Sequence, residues 1–92
     1  MTIKWVVVDP LVQNGEAFLY GTRLTVRRLL ELRASGYDAA RLLAEMPELR
    51  IVGIARAYEY AIANRSDYAE FFDQGGALLG PGLTVEEAAI AS

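Results

Sequence analysis

Apolar positions change period several times along the chain, and each change marks an element. Trp5-Val6-Val7-Val8 is an unbroken aromatic and β-branched run closed by Asp9-Pro10. Proline cannot donate to a ladder and restricts the residue before it, so the run reads as a strand. In Gln13-Asn14-Gly15-Glu16 the Asn-Gly pair accepts the positive φ angles of a tight turn, and Ala17-Phe18-Leu19-Tyr20 reads as the returning strand. The period then lengthens. Thr25 suits an N-cap, Val26, Leu29, Leu30, Arg33 and Ala34 fall at helical spacing up to Ser35, and Gly36 suits the left-handed position beyond a helix. Asp38 caps a second helix over Ala39–Met46, which buries Leu42, Leu43 and Met46 and stops at Pro47. A third helix begins at Arg50 or Ile51 and runs to about Asn64. It places Ile51, Ile54, Ala55, Tyr58 and Ile62 on one face and Gly53, Arg56, Ala57 and Tyr60 on the other.

Beyond Asn64 the periodicity breaks. Asp67 through Glu70 has capping-box spacing and predicts one or two helical turns through Phe71 and Phe72. Gly75, Gly76, Gly80, Pro81 and Gly82 then read as a flexible linker, and Thr84 to Glu87 is a second capping box leading into residues 88–91. The pattern divides the chain into a domain over 1–64 and an acidic, glycine-interrupted C-terminal tail over 65–92. The predicted fold class is mainly α, a three-helix core preceded by a short β-hairpin. A short helix, a tight turn and a longer helix with an Arg/Tyr face is the order of a helix-turn-helix unit.

Composition removes most enzymology. With no cysteine and no histidine, thiolate zinc sites, the usual general base and the usual nucleophile pairs are all unavailable, and the acids are scattered except for Glu86-Glu87. The expectation is a non-enzymatic chain without catalytic residues, metal, cofactor or small-molecule substrate. No apolar run is long enough to span a membrane, and the absence of cysteine fits a reducing cytoplasm.

The 92 residues carry a net charge of −3, which argues against nucleic acid until its distribution is considered. From Arg23 to Arg56 there are seven arginines against four acids; from Ala57 onward Arg65 faces six acids. A basic middle therefore precedes an acidic tail. Arg27 and Arg28 of the first helix, Arg41 of the second, and Arg50, Arg56 and Tyr60 of the third are the candidate DNA contacts, Arg56 and Tyr60 sharing a side at a spacing of four. Tyr68, Phe71, Phe72, Leu78 and Leu79 are apolar residues in an acidic segment that cannot form a core alone. They are candidates for docking on the same chain, on a second copy or on a partner protein.

From Val8 through Asn64 the chain resembles the prokaryotic family known as domain of unknown function 433, described as VapB-like antitoxins. The carriers are Asp9-Pro10, Gly15, Gly21-Thr22-Arg23-Leu24-Thr25-Val26, Leu29-Leu30, Gly36-Tyr37, Leu42-Leu43, Met46-Pro47-Glu48-Leu49, Ile54, Ala57-Tyr58 and Tyr60-Ala61. The resemblance implies a winged or homeodomain-like helix-turn-helix fold in a homodimeric antitoxin, which silences a PIN-like ribonuclease toxin and represses its own operator DNA. It implies no catalytic residue. The negative net charge and Arg50-Ile51-Val52 at the start of the third helix favour the alternative, a protein–protein interaction and dimerisation module of helix-turn-helix fold without DNA binding. The chain departs from the family pattern at Ala17, where proline is common, at Thr25, and at Arg50-Ile51-Val52-Gly53, which replaces a Thr-Pro-Glu-Asp-like helix start. Loss of the threonine cap costs about 1 kcal/mol, and Gly53 costs about another 1 kcal/mol relative to alanine unless packing compensates.

Overall fold

The computed structural model describes residues 5–11 and 15–82, so the turn residues Gln13 and Asn14 and the segment predicted after Thr84 lie outside it. Strands β1 (Val6–Val7) and β2 (Phe18–Leu19) pair antiparallel, Val6 opposite Leu19 and Val7 opposite Phe18. Gly21, at φ +78°, turns the chain out of β2. There the Thr22 hydroxyl donates to the Leu19 carbonyl at 2.9 Å and accepts from the Leu24 N–H at 3.1 Å. The chain then doubles back along β2, the Leu19 N–H donating to Leu24 and the Val26 N–H to Ala17, each at 2.9 Å. The Gly-Thr-Arg segment thus ties the hairpin to the first helix through backbone groups that would otherwise lack partners.

Helix α1 (Val26–Ala34) is capped by Thr25, whose hydroxyl accepts from the Arg28 N–H at 3.0 Å. It ends in a Schellman arrangement, Gly36 N–H donating to Arg33 and Tyr37 N–H to Leu32. Helix α2 (Ala39–Glu45) starts on Asp38, which accepts from the Arg41 N–H at 2.8 Å, and stops before Pro47. Helix α3 (Ile51–Ala63) has no side-chain cap at Arg50. A kinked 3₁₀ segment, Arg65–Phe71, follows it, with Tyr68 at the kink. The fold is mainly helical, with the short hairpin at its front. Among the described residues no helix is long and apolar enough to cross a membrane.

Leu19, Val26, Leu29, Leu30, Leu42 and Ile54 are the fully buried large side chains, drawn from the hairpin and all three α-helices. The central element is α3, which touches the hairpin, α1, α2 and the 3₁₀ segment. Its buried positions are Gly53, Ile54, Ala57, Tyr58 and Ala61, which corrects the single apolar face expected from periodicity: Gly53 and Ala57 are inside and Ile62 is 51% exposed. The cause is coverage from a second direction. A Cβ at Gly53 would stand 3.3 Å from the Trp5 ring, so the hairpin lies over the small residues of α3, and the propensity cost of Gly53 is offset by that contact.

Residues 65–82 fold back on the helices, and Tyr68 and Leu78 belong to the same buried cluster as Leu29 and Ile54. Phe72 bridges Leu78, the Leu79 N–H donates to Phe71 at 2.9 Å, and Gly82 bridges Asp38 at the start of α2. The glycine-rich stretch expected as a flexible linker is therefore a packed return. Gly80, at φ +90°, lies so close to the Arg33 backbone that a Cβ there would collide with the Arg33 carbonyl.

Candidate interaction site

The arginines divide into two groups according to what holds them. Arg28 pairs with Glu31 at 3.1 Å, Arg41 with Glu45 at 2.7 Å and Arg56 with Glu59 at 2.8 Å, each one helical turn away along its own helix. Arg41 also stacks over Tyr37, 3.9 Å from the ring centroid. The second group fastens the C-terminal segment. Arg33 Nε donates to the Leu79 carbonyl at 3.0 Å with its guanidinium over Tyr58, and Arg65 donates to the Gly76 carbonyl at 3.1 Å with its guanidinium over Phe72. Arg27 donates to the Asp67 carbonyl at 2.8 Å, pairs with Glu70 and with Glu16, and lies over the rings of Tyr68 and Phe71. Burial disfavours the Arg27 charge, but the Glu70 and Glu16 carboxylates outweigh it and hold its pKa above the ordinary arginine value.

Arg27 forms part of a cleft of about 300 Å³, whose other walls are Gly15, Glu16, Ala17, Tyr60, Asp67 and Tyr68. The hairpin end supplies Gly15 to Ala17, α1 supplies Arg27, α3 supplies Tyr60, and the 3₁₀ segment supplies Asp67 and Tyr68. The two tyrosine rings meet edge to face with centroids 6.3 Å apart. Tyr68 is 4% exposed, and desolvation, followed by the neighbouring Tyr60 and Glu16, pushes its hydroxyl up to about 12.

The structure thus brings two of the expected DNA contacts, Arg27 and Tyr60, together with Tyr68, an expected partner contact. It does not gather Arg28, Arg41, Arg50 or Arg56 into that cleft. Arg50 is exposed at the start of α3 and makes no ion pair among the described residues. Of the expected partner contacts, Tyr68 and Leu78 are occupied by their own chain, Phe71 and Phe72 are half-buried against the core, and Leu79 is exposed. Glu16 and Asp67 escaped the sequence reading as site residues: Glu16 is a single acid beside the hairpin turn, and the pattern at Asp67 reads only as the start of a capping box. Arg33 did leave a signal, because it falls on the apolar stripe of α1 with Leu29 and Leu30, where a charged residue needs a specific partner. Among the described residues no cluster of three or more metal-ligating side chains exists.

Comparison with curated proteins and with solved structures returns no match. Residues 6–61, more than half of the chain, match the family described as protein of unknown function (DUF433), and the chain belongs to that family.

Proposed function

We propose that this chain works by capturing another protein, as the antitoxin of a type II toxin–antitoxin pair whose toxin is a PIN-like ribonuclease. In this reading a homodimer engages operator DNA only together with that toxin. The family resemblance supplies the antitoxin role. The observation that carries the emphasis on protein over DNA is the local neutralisation of the arginines. A phosphate approaching Arg28, Arg41 or Arg56 meets a carboxylate held within 3.1 Å of each guanidinium. Exposed pairs of this kind contribute only about 0–1 kcal/mol, so the pairs themselves are easily opened. What weakens phosphate attraction is the negative charge that stays beside each opened arginine.

A recognition helix of a helix-turn-helix unit needs a polar face for base edges. Helix α3 is covered by four other elements, and its outward positions include the paired Arg56 and Glu59 and the apolar Ile62. Exposed apolar side chains, among them Leu11 and Tyr20, suit a protein surface better than a phosphate backbone. The α2–turn–α3 order and Arg50, which makes no ion pair among the described residues, favour a second reading, in which this chain alone reads DNA.

Co-expression with the product of the adjacent gene tests the proposal. The expected result is a stable complex in which ribonuclease activity is suppressed, while the isolated chain fails to retard its upstream DNA at low salt. Absence of a complex overturns the antitoxin role, and retardation by the isolated chain overturns the restriction on DNA.

A further inference from the structure

We propose that the outer edge of β1 is the surface on which a second copy of this chain docks, the two β1 strands pairing antiparallel about Val7. The inference deepens the homodimer of the preceding reading and rests on it, because it names the edge along which the two copies meet.

The register of the hairpin leaves that edge without a neighbour. In an antiparallel pair, alternate residues turn their backbone groups toward the adjacent strand and away from it. The Tyr20 N–H donates to the Trp5 carbonyl at 2.8 Å and Val7 stands opposite Phe18, so Trp5 and Val7 face β2. Leu19, opposite Val6, sends its N–H the other way, to the Leu24 carbonyl at 2.9 Å. The outward row of β1 is therefore the N–H and C=O groups of Val6 and Val8, which have no backbone partner among the described residues. Strand β2 differs, being flanked by β1 on one side and by the return through Leu24 and Thr25 on the other.

Edge strands are ordinarily blunted by a charge or a proline, and Trp5 to Val8 holds neither. Asp9-Pro10 ends the run and so limits the length of any added ladder. Two strands of two residues each make a marginal sheet, and an added strand strengthens it.

The sequence of the strand selects a second copy as the occupant. Three consecutive valines read alike in both directions, so two-fold pairing about Val7 sets Val6 of one copy against Val8 of the other. Both residues lie in the outward row, and each N–H then meets a carbonyl of the opposite copy. Charge fixes the direction, because Lys4 precedes the run in the sequence and Asp9 follows it. Antiparallel pairing brings unlike ends together, whereas parallel pairing would bring like ends together. Exposed apolar side chains follow the same logic. Val8 and Leu11, 53% and 93% exposed, stand at one end of β1, and Tyr20, 58% exposed, stands beside Trp5 at the other.

Sedimentation equilibrium of the isolated full chain, combined with amide hydrogen exchange, tests the assignment. A reversible dimer that weakens with added salt is expected. Exchange at the Val6 and Val8 amides should slow as concentration rises, while that of Val7, which faces β2, should not change. Val8→Pro removes an outward donor and leaves the hairpin ladder intact, so the dimer should weaken about tenfold with the helical spectrum unchanged. Asp9→Lys should weaken it several-fold, and adding Lys4→Asp should restore it, a rescue that mere loss of local structure could not give. A monomer at every concentration, a wild-type dimer in Val8→Pro, or absence of the rescue would overturn the proposal. So would a Val8→Pro chain that dimerises normally but loses the toxin, since the edge would then belong to a toxin strand. Toxin capture by a chain that proves monomeric would sink the joined strands and leave the antitoxin role standing, whereas a dimer with these properties that captures no toxin would sink that role alone.

Discussion

Tyr68 joins the core to the cleft through a single ring. Its face meets the Arg27 guanidinium 5.1 Å from the centroid, and its edge meets Tyr60. Desolvation leads the rise of its pKa to about 12, from an ordinary value of 10.0. Because the folded value is the higher one, the unfolded chain ionises first. The stabilisation associated with the protonated hydroxyl is therefore complete below pH 10 and is lost as pH rises through about 12, a swing on the order of 2 kcal/mol. Tyr68→Phe keeps the ring and removes the titrating group. Urea unfolding of the two proteins between pH 8 and about 12 should show the wild type losing stability relative to the variant only above about pH 10. Parallel profiles across that range would contradict the assignment.

Among the elements, α3 has the weakest start. Its N-terminal N–H groups receive no side-chain cap, and the residue at the cap position is a cation beside the positive end of the helix dipole. Arg50→Ser supplies an acceptor and removes that charge, so the urea midpoint should rise by the equivalent of about 1 kcal/mol with an unchanged slope. The well-capped helices were legible from the chain because their signals are local: Thr25 and Asp38 each accept from a backbone N–H three residues on, and Gly36 and Pro47 end what those residues begin. The inward face of α3 was not legible, because the hairpin covers it from a second side and Trp5 takes the space that Gly53 leaves. Residues 75–82 were misread for a related reason. Glycines look alike in a flexible linker and in a packed turn, and the difference lies with Arg33, 46 residues before the carbonyl it holds. The cleft was hidden by a similar separation in sequence, since its walls Arg27 and Asp67 are 40 residues apart. Gly80→Ala probes this return directly. The strained φ and the collision with the Arg33 backbone should release residues 79–82, at a cost of about 1–3 kcal/mol. Hydrogen exchange at the Ala39 amide, which donates to the Gly82 carbonyl, should quicken, while exchange at Ala57 in the middle of α3 should change little.

For the whole molecule, the decisive quantity is how charge is arranged around a net value of −3. The helices carry cations enough for a phosphate-binding face, and the same helices carry the acids that cancel them one turn away. Replacing Glu31, Glu45 and Glu59 together by glutamine removes only those acids and brings the formal net charge to zero. Each pair is exposed and contributes about 0–1 kcal/mol, so the variant should fold with nearly unchanged stability. Its behaviour toward duplex DNA should change. At low ionic strength the wild type should show no binding to a nonspecific duplex, and the triple variant should bind with a log–log salt slope of roughly −0.9 per phosphate engaged. Toxin capture should be retained by both, since the three exposed glutamates pair only with arginines of their own helices. Strong, salt-dependent binding by the wild type would show that the arginines reach phosphate despite their carboxylates, and the DNA-reading alternative would then take precedence.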